Sequence, residues 1–223
     1  MAVLFDMDGV ILKGKSTPRD TYYQASNHVL DKIDQSVSET DRNRLEVYSY
    51  EKFKKACQSA DAPLNPQKLW QEREQMVSEL EHEHIMSGSR KLYEDTSVLS
   101  SIHENIPIAI VSNNRQATVE FVVDYYDLPV DIAKGRTPSP DGFRRKKPDP
   151  HYLTKACNQL EVSAGLYVGD RQKDMIAADR AGISGVFIRR EHNESKPLPE
   201  KAEYEIHSLR ELPDTITKES EIS

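Results

Sequence analysis

The 223-residue sequence predicts an α/β fold built on a parallel sheet, with a smaller all-helical unit inserted after the first strand. Three observations predict it. Short apolar runs of strand length recur along the chain, most of them lead at once into polar residues and a helical pattern, and residues 14–90 hold helix signals without a convincing strand. Strands that alternate with helices imply parallel pairing, and strands covered on both faces read as unbroken apolar runs.

The first run is Ala2 to Phe5. Thr17-Pro18 then reads as N-cap and first helical residue of a helix to about Ile33, Ser49 as the cap of Tyr50 to Ser59, and Asn65-Pro66 as the start of a long helix to about Ile85. Leu69, Met76, Val77 and Leu80 recur there at helical spacing and are expected to form the insert's own core. Asp95 to Asn105 supplies a returning helix. After it come a strand at Ile106 to Val111, helices at Arg115 to Tyr125 and Asp149 to Leu160, a strand at Leu166 to Val168, a helix at Arg171 to Ala181 and a strand at Val186 to Ile188. Glu203 to His207 reads as a last short strand, Ser208 as the cap of a final turn, and the end beyond Pro213 as frayed. The expected division is therefore a discontinuous α/β core, 1–13 with 91–223, and a helical domain, 14–90.

Composition narrows the function. With 37% hydrophobic and 30% charged residues, and no window near the ~18 apolar residues of a membrane helix, the expectation is a soluble globular protein without a membrane partner. A net charge of −7 argues against nucleic acid, which attracts basic surfaces. The first strand begins directly after Met1, leaving no room for a signal segment, so a cytoplasmic location is expected. Cys57 and Cys157 both fall in helical patterns and read as packing residues, not as a disulfide or zinc site. No heptad seam distinguishes monomer from dimer.

In open α/β sheets ligands bind at the carboxyl ends of the strands, so the residues just after each run carry the chemistry. These are Asp6 and Asp8, then Ser112 with Asn113, then Asp170 with Asp174. Each alone has a structural reading as a turn or helix cap. Brought together, two or three carboxylates repel, and a divalent cation resolves the conflict; magnesium suits oxygen ligands and is commonly shared with a phosphate. Lys147-Pro148 precedes a helix start at Asp149-Pro150, placing an ammonium near a helix N-terminus that favours anions. Hydroxyl, lysine and helix amides around a metal make a phosphate cradle. In the basic run Arg144, Arg145, Lys146, Lys147 one lysine is expected to work while its neighbours are exposed.

With these motifs in order, the sequence resembles the haloacid dehalogenase superfamily. "DMDGV" (Asp6 to Val10) matches its first motif, Ser112 at the end of "IPIAIVS" the second, Lys147 in "KKPDP" the third, and "VGDRQKDMIAADRAG" the fourth, with Asp170 and Asp174. The insert looks like that superfamily's helical cap, and the nearest likeness is to its phosphoglycolate-phosphatase-like members. The resemblance implies a Rossmann-like three-layer core and a phosphoric monoester hydrolase. Asp6 would be the nucleophile and Asp8 the general acid/base. Ser112, the Asn113 amide and Lys147 would hold the phosphoryl oxygens. Asp6, the Asp8 carbonyl and Asp170 would bind Mg2+, with Asp174 a ligand or its support. The substrate would be a small phosphorylated metabolite. Lys13, Lys15, Arg42 and Arg44 stand as weak candidates for gripping a second anionic group. A phosphomutase of the β-phosphoglucomutase type shares all four motifs, and a non-catalytic receiver-like module is the alternative from another class. An aspartate at position 8 disfavours dehalogenation.

Overall fold

The computed structural model describes residues 1–14, 17–33 and 37–222. Six parallel strands form one sheet in the order β3-β2-β1-β4-β5-β6: β1 (Ala2–Phe5), β2 (Ile108–Arg115), β3 (Ile132–Arg136), β4 (Gly165–Gly169), β5 (Ser184–Ile188) and β6 (Tyr204–Ile206). The chain fills one side of β1 and then jumps to the other, so β1 is central and the order reverses beside it.

Alternation along β1 explains the two helical layers. Val3 and Phe5 join Leu99, Leu209, Leu212 and Ile216, while Ala2 and Leu4 join Tyr152, Leu153, Ala156 and Ala177. One face is thus covered by α5 (Val98–His103) and α10 (Leu212–Ile222), the other by α8 (His151–Gln159) and α9 (Gln172–Ala181). Both layers bury β1 completely, hence its uninterrupted apolar sequence.

Between β1 and β2 lie four helices, α1 (Arg19–Asp31), α2 (Glu39–Leu45), α3 (Tyr50–Gln58) and α4 (Pro66–Met86). They close over their own cluster of Val29, Leu30, Leu45, Phe53, Cys57, Leu69 and Trp70. Asn65 caps α4 as the sequence implies, its side chain accepting the amides of Gln67 and Lys68 at 3.1 Å. The two segments joining the insert to the sheet pair with each other, through Leu12 with Leu92 and Lys13 N to Lys91 O at 2.8 Å.

Several expectations are corrected. β2 runs past Val111 through Ser112 to Arg115, with a register shift against β3. The 132–136 strand was not foreseen, because an edge strand reading Ile-Ala-Lys-Gly-Arg shows no apolar run. Nor were α2 and α7 (Pro140–Arg144). The end beyond Pro213 is not frayed: it is α10, in which Pro213 sits in the first turn, where its missing N–H costs nothing. Thr17 does not cap α1; Pro18 holds the N-cap position without a side-chain bond, and the Thr17 hydroxyl accepts from Arg115 instead. A turn at Glu94–Ser97 precedes α5 where one continuous helix was expected. Both cysteines are free and buried, as expected. No described helix is long and apolar enough to cross a membrane.

Candidate active site

β1 ends at Phe5, so Asp6 emerges at the carboxyl edge beside the point where strand order reverses, the usual place for a ligand in such sheets. Asp170 follows β4 directly, and Asp174 lies in the first turn of α9. Oxygens of these three buried carboxylates lie within 4.8 Å of one another. Lys147 Nζ enters from the loop before α8, 2.9 Å from Asp6 Oδ2 and 2.8 Å from Asp174 Oδ1. Tyr167 of β4 accepts a third bond from the ammonium. Its ring reads in sequence as part of an apolar run, so nothing marked it. The close approach of β1 and β4 also explains Gly9: its φ is +84°, and a Cβ there would stand 2.4 Å from Asp170 Oδ2.

Lys147 pairs with two of the three carboxylates, and Arg171 Nε reaches the third, Asp170 Oδ2, only at 3.7 Å. Burial pushes the Asp170 carboxyl up to about 7, helped by Asp174 and Asp6, and burial raises Asp174 as well. Asp6 also feels burial, but Lys147 and Lys173 outweigh it and hold the group below the usual carboxylate range. Asp170 Oδ2 meets His192 Nε2 at 2.5 Å, whereas Oδ1 is buried with no hydrogen-bond partner. Three hard oxygen donors, short of positive charge and with one oxygen orphaned, fit a magnesium-type cation.

Asp8 takes a different place. Its carboxylate stands outside the trio, with Oδ1 2.7 Å from Arg90 Nη2 and Oδ2 accepting from Asn114 Nδ2 at 3.2 Å. Arg90 in turn reaches Glu81 of α4 at 3.0 Å, so Asp8 is tied to the insert through the segment that joins insert and sheet. Ser112 is buried at the same edge, its hydroxyl accepting the Asn114 amide at 3.2 Å. The Asn113 side chain does structural service: Oδ1 accepts Lys147 N at 2.7 Å and Nδ2 donates to Lys147 O at 3.2 Å. That pair of bonds fixes the lysine-bearing loop to the end of β2.

Asp6, Asp8, Ser112, Asn113 and Asn114 line a cleft of about 200 Å³, closed from the insert by Thr17 and Tyr22 and flanked by Arg115, Arg136, Lys146, Arg171 and Lys173. Glu74 of α4 anchors the seam, 2.9 Å from Arg115 Nε and in contact with Arg136 Nη2. Burial alone would raise the Glu74 carboxyl, but Arg115, Arg136 and Arg73 hold it down at about 2. Lys146 departs from the expected exposed turn. Arg144 and Arg145 are exposed, but Lys146 faces the cleft with Nζ 3.4 Å from the Phe143 ring centre, and burial together with Arg136 and Lys173 brings its pKa down to about 7.

The weak specificity candidates are not brought to the cleft. Arg42 pairs with Asp31 at 2.7 Å and Arg44 with Asp41 at 3.1 Å, both within the insert. Lys13 lines a separate, open hollow of about 600 Å³ beside Tyr93 and Arg190. Lys15 lies outside the described residues. The cations that do line the cleft were missed because Arg115 reads as a helix start and Arg136 belongs to the unforeseen strand.

Residues 1–182 match the family model described as haloacid dehalogenase-like hydrolase. Among curated relatives, a phosphoglycolate phosphatase of Photobacterium profundum is 30% identical over 122 residues, covering 52% of this chain and 48% of that protein. A phosphoglycolate phosphatase of Nitrosospira multiformis is 26% identical over 239 residues, covering 98% and 96%. The matched stretch thus spans about half the length of the first of these relatives and nearly all of the second. Among solved structures, β-phosphoglucomutase from Clostridium difficile superposes with a TM-score of 0.63 at 18% identity, covering 99% of this chain and 96% of that one. CbbY from Rhodobacter sphaeroides, solved with phosphate, gives 0.62 at 18%, covering 95% of each.

Proposed function

The chain belongs to the haloacid dehalogenase-like hydrolase family, and from that premise we propose that it is a magnesium-dependent phosphatase of small phosphorylated metabolites. The observation that carries this reading is the grouping of Asp6, Asp170 and Asp174 about Lys147, with Asp8 two residues along the chain but in a different hydrogen-bond environment. Asp6 attacks phosphorus, forming an aspartyl-phosphate as the ester P–O bond breaks. Asp8 gives the departing oxygen a proton and later takes one from the water that attacks phosphorus and frees Asp6. Ser112 and the Asn113 main-chain amide hold phosphoryl oxygens, and Lys147 offsets their charge. Asp6, Asp170 and the Asp8 carbonyl would hold Mg2+, with Asp174 as ligand or support, and the ion would neutralise charge on the phosphoryl group.

Residues 14–90 act in this reading as a cap domain that closes over the cleft and keeps bulk water from the first step. The names of the curated relatives support phosphoglycolate or a similar ester as substrate. A cavity of about 200 Å³ also suits a short substrate, since ordinary ligand pockets start near ~300 Å³. A mutase would need room for a hexose phosphate, and the small cavity favours water as the acceptor.

The test is a panel of phosphomonoesters that includes phosphoglycolate, sugar phosphates and nucleotides, assayed with magnesium and with EDTA. Turnover is expected for short esters only, abolished by EDTA and reduced to background in Asp6→Asn. Normal turnover in that variant, or indifference to EDTA, overturns the mechanism.

A further inference from the structure

Charge does not balance along the cleft. At the end where insert and sheet meet, the described residues set five cations, Arg73, Arg90, Arg115, Arg136 and Lys146, against three carboxylates, Asp8, Glu74 and Glu81. Arg136 is the informative member. Its Nε donates to Asn113 O at 3.0 Å and its Nη2 meets Glu74, so two edges of the guanidinium are fixed. The third nitrogen, Nη1, is buried without a hydrogen-bond partner, on a residue only 2% exposed that lines the cleft. A buried charged donor left unpaired costs more than a neutral one, so an anion that reaches it stabilises the site. Lys146 lines the same cleft and forms no ion pair among the described residues; only the Phe143 ring lies under its ammonium.

A single phosphoryl group does not account for these cations, because Lys147 and the carboxylate trio already serve it on the proposed mechanism. We propose that Arg136 and Lys146 form a subsite for a second anionic group on the substrate, a carboxylate, so that the enzyme selects short phosphorylated carboxylic acids over neutral phosphomonoesters of the same length. The proposal rests on the phosphatase reading for the position of the phosphoryl group. A guanidinium already held on two edges binds a carboxylate with little further ordering, and charge-assisted bonds of this kind are among the stronger ones.

The loop that carries Lys146 provides its own reporter. Phe143, beneath the ammonium, packs edge-on against Trp70 at 5.3 Å, and Trp70 is the sole tryptophan of the chain. Binding is measured on Asp6→Asn, which cannot turn substrate over, by calorimetry and tryptophan fluorescence in magnesium buffer, with phosphoglycolate and ethyl phosphate as paired ligands. Phosphoglycolate is expected to bind at least about tenfold more tightly, the value of one charge-assisted hydrogen bond. In Asp6→Asn with Lys146→Met the ratio should fall toward one, and with Lys146→Arg it should return. Equal affinities in Asp6→Asn overturn the subsite, as does a ratio that survives Lys146→Met. If the enzyme with Asp6 intact hydrolyses neither ester while Asp6→Asn keeps the preference, the subsite stands and the phosphatase reading falls.

Discussion

At one end of the cleft three carboxylates surround one ammonium; at the other, Arg73, Arg90, Arg115 and Arg136 surround Glu74 and Glu81. The first group hangs on the sheet, from β1, β4 and the loops beside them. None of its members comes from the helical insert. The second group is shared, with Arg73, Glu74 and Glu81 on α4 and Arg115 and Arg136 on β2 and β3. It is complete only when the insert is seated. On the proposed mechanism the chemistry rests on groups carried by the sheet, while recognition falls to a seam that insert and sheet build together.

Removing Asp8, which stands between the two ends, should have the largest effect. Asp8→Ala is expected to lower turnover by ~10²–10⁴-fold, the usual worth of a general acid/base, while phosphate-analogue binding and the Trp70 emission of the folded state are retained. Loss of folding would return Asp8 to a structural role. Breaking the seam should act on stability first. Glu74→Leu leaves Arg115 and Arg136 buried without their carboxylate, at a cost of ~3–5 kcal/mol in urea unfolding, and a change under ~1 kcal/mol would show that the seam is wet or already open.

Acid should sharpen the same contrast. Glu74 is held at about 2 in the folded protein against an ordinary 4.5, so its contribution to stability is complete above pH 4.5 and drains away as pH falls toward 2. Glu74→Gln should flatten that part of the stability profile, read as thermal midpoints across this range; an unchanged slope would assign acid sensitivity elsewhere. The smallest effect belongs to the exposed bridge between insert and core, Arg144 with Glu51 at 2.7 Å. Glu51→Ala should leave the thermal midpoint unmoved, because water and salt screen such pairs.

Legibility in the sequence follows the same divide. A residue one or two steps past an apolar run in a parallel sheet has its place set by topology, which is why Asp6, Ser112 and Asp170 are legible in the sequence as members of one edge. Residues 69–85 of α4 were harder. The helix buries Leu69, Trp70, Val77 and Ile85 together with Arg73, Glu74 and Glu81, and its charged members read in sequence as a wet face. Nothing in helical spacing says that arginines from another element will cover them.

The sequence by itself determined the parallel sheet, the helical insert and the gathering of Asp6, Ser112 and Asp170 at one sheet edge, because strand-end position suffices for those. Only the tertiary structure decided that Asn113 serves the Lys147 loop, that Lys146 and Arg136 enter the cleft while Arg42 and Arg44 do not, and that α10 folds back onto the sheet. The physical reason is that local pattern specifies what an element buries but not what meets it there, and a charge buried in a seam is placed by the partner that neutralises it.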